Sequence, residues 1–161
     1  MKKSKKTKLT PEKAMEQFQP LFGLKPWRAR LGYGSFLTFE FGNLVKEMGH
    51  QHGEWHLWVY QCDWSLLSEG RRAVDSDARR TLIDRWVRLL EKEPLTNVKQ
   101  VQPGEWAFSF GVRHRLLCRP PANNGTNDPY WYLFMPDHRV MEVGPGDRIA
   151  MEHAKPLVQQ R

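Results

Sequence analysis

Three histidines, His50, His52 and His56, precede a cysteine, Cys62, in one short stretch. A His-x-His pair on an extended strand sends both imidazoles off the same face, a spacing that zinc sites use. His50 and His52 are therefore the candidate metal ligands. A zinc ion needs its ligands to converge within about 2.0–2.3 Å, and the spacing supplies no third donor, so the sequence implies neither a metal nor another cofactor. His56 and Cys62 share a strand face, yet at strand rise they stand about 20 Å apart. They can form a base–nucleophile pair only if the strand is broken. His114 and Cys118 have ligand spacing on a helix but lie about 13 Å apart on a strand.

Glu40 sits between Phe39 and Phe41 in a segment that alternates like a strand. If a layer covers its face, the carboxylate needs Arg28, Arg30 or His56 as partner, or its pKa rises. That would make Glu40, His56 and Asp63 candidate acid–base residues. Structural ion pairs leave the same signature and are commoner. Gly32-Tyr33-Gly34-Ser35 leads into a strand rather than a helix, which suits a tight turn and not a phosphate loop. The chain has no Gly-x-Ser-x-Gly elbow, His-Glu-x-x-His or Cys-x-x-Cys, so the enzyme families that carry those motifs are excluded.

Charge is unevenly placed. The 161 residues carry a formal net charge of +7. Five bases (Lys2, Lys3, Lys5, Lys6 and Lys8) fall in the first eight residues with no acid among them, which leaves +2 for the remainder. Such a run repels itself and is expected to be a mobile tail over residues 1–9, suited to loose contact with nucleic acid or simply to solvation. Residues 155–161 are expected to fray. Two cysteines are too few for a disulfide framework, and with no apolar leader or membrane-length apolar run the expected setting is cytoplasmic, away from membranes.

The elements that must position these residues follow from periodicity. Thr10-Pro11-Glu12 is a helix start, with Ala14, Phe18 and Leu21 at helical spacing behind it. Residues 35–41 alternate as a strand. Residues 54–67 are apolar on both parities, which reads as one central strand covered on both faces; the polar stretch 43–53 between them reads as a long loop. Residues 76–92 form an amphipathic helix, capped by Asp75 or Ser76, with Leu82, Ile83, Trp86, Leu89 and Leu90 inward. Gln102-Pro103-Gly104-Glu105 is a type II turn joining two strands. Further strands follow over 112–118, 130–135, 140–143 and 148–151, with a turn-rich loop at 122–129. The expected fold is a single α+β domain over residues 10–154, a mainly antiparallel sheet of six to eight strands with an N-terminal helix and one long amphipathic helix on it. Gly-Glu-Trp occurs at residues 53–55 and 104–106, opening a strand each time.

No reactive groups gather in the sequence, while arginine and tryptophan are abundant. This favours a non-catalytic cytoplasmic interaction protein, an accessory or immunity-type partner, binding another protein through loops 43–53 and 122–129 and an arginine-rich helix face. Its contact residues are Trp27, Arg28, Arg79, Arg80, Arg85, Arg88 and Trp131, the two tryptophans being placed beside turns. The alternatives are nucleic-acid binding through the lysine tail with Arg and Trp groups, and an enzyme built on Glu40 and His56.

Overall fold

The computed structural model describes residues 5–122 and 127–153. In chain order its elements are β1 (Thr7–Lys8), α1 (Pro11–Glu16), β2 (Arg28–Leu31), β3 (Leu37–Glu47), β4 (His50–Val59), β5 (Asp63–Ser68), β6 (Arg71–Asp75), α2 (Arg80–Leu89), β7 (Leu95–Gln102), β8 (Glu105–Phe110), β9 (His114–Arg119), β10 (Trp131–Phe134), β11 (Arg139–Val143) and β12 (Ile149–His153). The α+β class and the antiparallel pairing are as expected. The strands divide, however, into two sheets: seven in the order β1-β12-β11-β10-β4-β3-β2, and five in the order β6-β5-β9-β8-β7.

The division falls inside the segment read as one long strand. β4 ends at Val59 and β5 opens at Asp63 in the other sheet. Leu57 and Val59 are buried on one side of this break, Trp64 and Leu66 on the other. The core-facing parity thus switches from odd to even as the chain crosses between sheets. Both parities are apolar because of that crossing, not because a layer covers each face of one strand.

The two inner faces meet in an aromatic core. Phe39 packs on Phe110 at 5.6 Å between ring centroids, and Trp131 meets Phe108 and Trp106 edge-on at 5.2 and 5.4 Å. Phe18, just beyond α1, closes on Phe108 and Trp131 at 5.8 and 5.7 Å. Such pairs add about 0.5–1.5 kcal/mol each beyond the area they bury. Trp131 is therefore a fully buried core residue, not the exposed contact expected from its position beside a turn.

α1 forms for the expected reasons, whereas α2 keeps its apolar stripe without the expected cap. Thr10 Oγ1 accepts the Lys13 N–H at 3.2 Å and Pro11 opens α1. α2 is only ten residues long; its N-cap is Arg79, without a side-chain cap, and Asp75 Oδ1 instead accepts the Asp77 N–H at 3.0 Å. Ile83, Val87 and Leu90 face inward, whereas Leu89 is 37% exposed. The expected loop 43–53 is the end of a two-stranded ribbon, since β3 and β4 pair as far as Glu47 and His50 across a tight turn at Met48 and Gly49. Gly53 accordingly lies within β4 and does not open it.

The basic segment is partly structured. Thr7 and Lys8 pair with Met151 and Ala150 as the edge of the larger sheet, so order begins before Thr10. Lys2, Lys3 and residues 154–161 lie outside the described residues, as do residues 123–126 of the loop over 122–129. No described helix is long and apolar enough to cross a membrane.

Candidate functional site

Glu40 and His56 are directly opposed in the β3–β4 pairing. The imidazole Nδ1 donates to Glu40 Oε1, and Glu40 Oε2 accepts the Gly53 N–H at 2.7 Å. The Glu40 carboxylate is 5% exposed and the His56 side chain 23%. The closeness of Gly53 has a steric origin. The register shifts between Phe41 and Leu44, and a Cβ on Gly53 would strike the Phe41 carbonyl oxygen and lie 2.8 Å from its nitrogen. Only glycine brings that amide so near the carboxylate. Of the three partners proposed for Glu40, His56 is therefore the one in contact.

Asp63 does not join them. It is exposed in the other sheet, where its Oδ2 accepts the Ala122 N–H at 3.1 Å. It borders a shallow cleft of about 270 Å³ shared with Arg72, Asp75 and Arg119. His50 is exposed near the ribbon tip, and His52 Nε2 lies 3.6 Å from Glu47. Among the described residues no group of three or more His, Cys, Asp or Glu is arranged to hold a metal. Cys62 and Cys118 are buried free thiols; their mutual hydrogen bond, burial and the Asp63 charge push the Cys62 thiol well up. Cys62 is thereby held as a neutral thiol.

The arginine-rich helix face is partly engaged. Arg80 grips the backbone oxygens of Gly32 and Gly34, and Arg88 is bound to Asp84 at 2.8 Å. Arg79 and Arg85 are exposed. Trp27 is half-buried; its Nε1 donates to Gly42 O at 2.8 Å, and the Arg28 guanidinium lies 5.0 Å from its ring centroid.

The most distinctive surface is one that no single segment advertised. On the face of the larger sheet turned away from the core, Trp58 of β4 stacks on Tyr132 of β10 at 5.4 Å and 24°. Tyr132 stacks on Phe134 at 5.8 Å, and Phe134 meets His56 at 5.5 Å. Tyr60 and Phe36 continue the set, with Tyr60 at 4.6 Å from Trp58 and 4.5 Å from Phe36. All are half-buried, and Tyr33, beside Phe36, is 89% exposed. Burial, with the nearby Glu142, Asp128, Tyr60 and Glu152, pushes the Tyr132 phenol from 10.0 up to about 12.

Register places charge at both margins of these rings. Directly opposed residues share a face, and one unbroken row crosses all seven strands: Lys8, Ala150, Glu142, Tyr132, Trp58, Thr38 and Arg30. The neighbouring row runs Glu152, Val140, Phe134, His56, Glu40 and Arg28. Lys6 and Arg148 both reach Glu142, at 2.8 and 3.2 Å. That Trp58 and Tyr60 share one parity was readable; that no described element packs over their rings was not. Comparison with known proteins finds no family model, no curated protein and no solved structure that matches this chain.

Proposed function

We propose that this chain is a non-catalytic binding protein that works through the outer face of its larger sheet, where an extended macromolecular ligand stacks on Trp58, Tyr132 and Phe134. The interaction role expected from composition is kept, but its surface moves from the arginine helix to the sheet. One observation carries this: a connected group of half-exposed rings lies on the side of the sheet that adds nothing to the core. Contiguous exposed apolar surface on a folded protein marks a contact site, and aromatic residues dominate contact energetics. The Glu40–His56 pair serves as scaffold here, since it ties β3 to β4 beneath the rings.

Two pairs of replacements test the assignment against a panel of single-stranded oligonucleotides, oligosaccharides and proline-rich peptides. Trp58→Ala with Tyr132→Ala is expected to weaken any binding by about tenfold or more, while Arg79→Ala with Arg85→Ala leaves it within about twofold. The opposite pattern would return the contact to the helix face.

A further inference from the structure

We infer that the ligand of this aromatic face is single-stranded nucleic acid, its bases stacked on Trp58, Tyr132 and Phe134 and its phosphates met by the cations at the two sheet margins. This rests on the preceding assignment of the face and adds the chemistry of the ligand. Three features select it. The rings of neighbouring strands form one contiguous, part-exposed aromatic surface, and stacking on aromatic side chains accepts any base. A duplex hides its base faces in its own stack, so only an unpaired strand can use them. The third feature is charge complementarity.

At the β1 margin Lys6 and Arg148 meet Glu142, Lys8 lies in the same row, and Glu152 stands on the adjoining strand. Lys5 precedes them in the described chain, and Lys2 and Lys3 precede it in sequence. At the β2 margin stand Arg28 and Arg30, the latter bound to Glu91 at 2.6 Å. The acids within the two rows are Glu40, Glu142 and Glu152. Glu40 is buried against His56 and Glu142 is outnumbered by its cations, while Glu152 and Asp128 also stand near Tyr132. Seven strands at the usual spacing span about 29 Å from margin to margin, so a strand laid across the rings meets positive charge at each end. Lys6 and Lys8, which composition left in an appendage, thereby flank the platform. Neutral sugars and proline-rich peptides would use the rings but draw nothing from these cations.

The test uses the full chain and fluorescently labelled oligouridylate and oligothymidylate, with an abasic oligomer of equal length, a duplex and heparin as comparators. Both single strands are expected to bind, and the abasic and duplex forms about tenfold or more weakly. Trp58→Ala is expected to lose about tenfold, and Trp58→Phe, which keeps a ring, to recover most of it. Lys6→Gln with Lys8→Gln should flatten the log–log salt dependence by about 0.7 for each phosphate that is no longer neutralised. A preference between the two strands assigns the sugar. Equal binding of abasic oligomer or heparin means mere adsorption to lysine and overturns the inference. If no polynucleotide binds while a sugar or peptide does so in a Trp58-dependent way, the inference falls and the face remains the binding surface. Nucleic-acid binding indifferent to Trp58→Ala overturns both.

Discussion

At Tyr132 a single side chain records the environment of the whole face. Its phenol is half-buried between Trp58 and Phe134 and near carboxylates, which raises its pKa to about 12. The fold therefore favours the neutral phenol. That contribution to stability is fully present below the ordinary tyrosine value and is lost as pH rises through the folded one. Tyr132→Phe, which cannot ionise, is expected to lose less stability than the native protein between about pH 10 and 12. Urea midpoints across that range measure it, and parallel curves for the two proteins would contradict it. Glu40 shows what residue types alone reveal. Its position between two phenylalanines predicted a carboxylate in need of a partner, with His56 among the choices. The Gly53 amide that completes the arrangement depends on a register shift, which no local pattern encodes.

The elements explain why β2, at the margin of the larger sheet, is not an open edge. Glu91 Oε1, in the turn after α2, accepts the Ala29 N–H at 2.9 Å and the Arg30 guanidinium at 2.6 Å, while Arg80 holds the backbone oxygens of Gly32 and Gly34. A free strand edge invites pairing with other chains, and here side chains from the helical segment occupy it. Glu91→Ala is expected to cost about 1 kcal/mol and to accelerate hydrogen exchange at the Ala29 amide selectively. Unchanged exchange there would mean that the clamp is not formed in solution. The ribbon turns were the least legible elements. Met48-Gly49 and Glu69-Gly70 both adopt positive φ at two successive residues, the geometry of tight hairpin turns. Methionine and glutamate are unusual at the first of these positions, where asparagine or aspartate would have announced a turn. Hence residues 43–53 read as a loop, and the β5–β6 hairpin went unseen. By contrast, Thr10-Pro11 and Pro103-Gly104 carry their turn and cap chemistry in the residue types themselves, and both were legible.

Across the whole molecule, the crossing from β4 to β5 divides one apolar stretch between two sheets and leaves one side of the larger sheet with no other described element packed on its rings. Residues 54–67 read as apolar on both parities, and a run of that kind cannot say which parity a second layer covers. Trp131, placed outside by its neighbouring turn, went to the core, and Tyr132 and Phe134 came to the surface. The same assembly sets the lysine-bearing edge and the arginine-bearing edge on either side of the rings. The most direct test is the aromatic NMR spectrum of the full chain titrated with a single-stranded oligonucleotide. Ring resonances of Trp58, Tyr132 and Phe134 should move upfield and saturate together, as bases stack over them, while those of the buried Trp64 and Trp106 stay fixed. Shifts confined to the α2 arginines and the N-terminal lysines, with the three rings unmoved, would contradict the account.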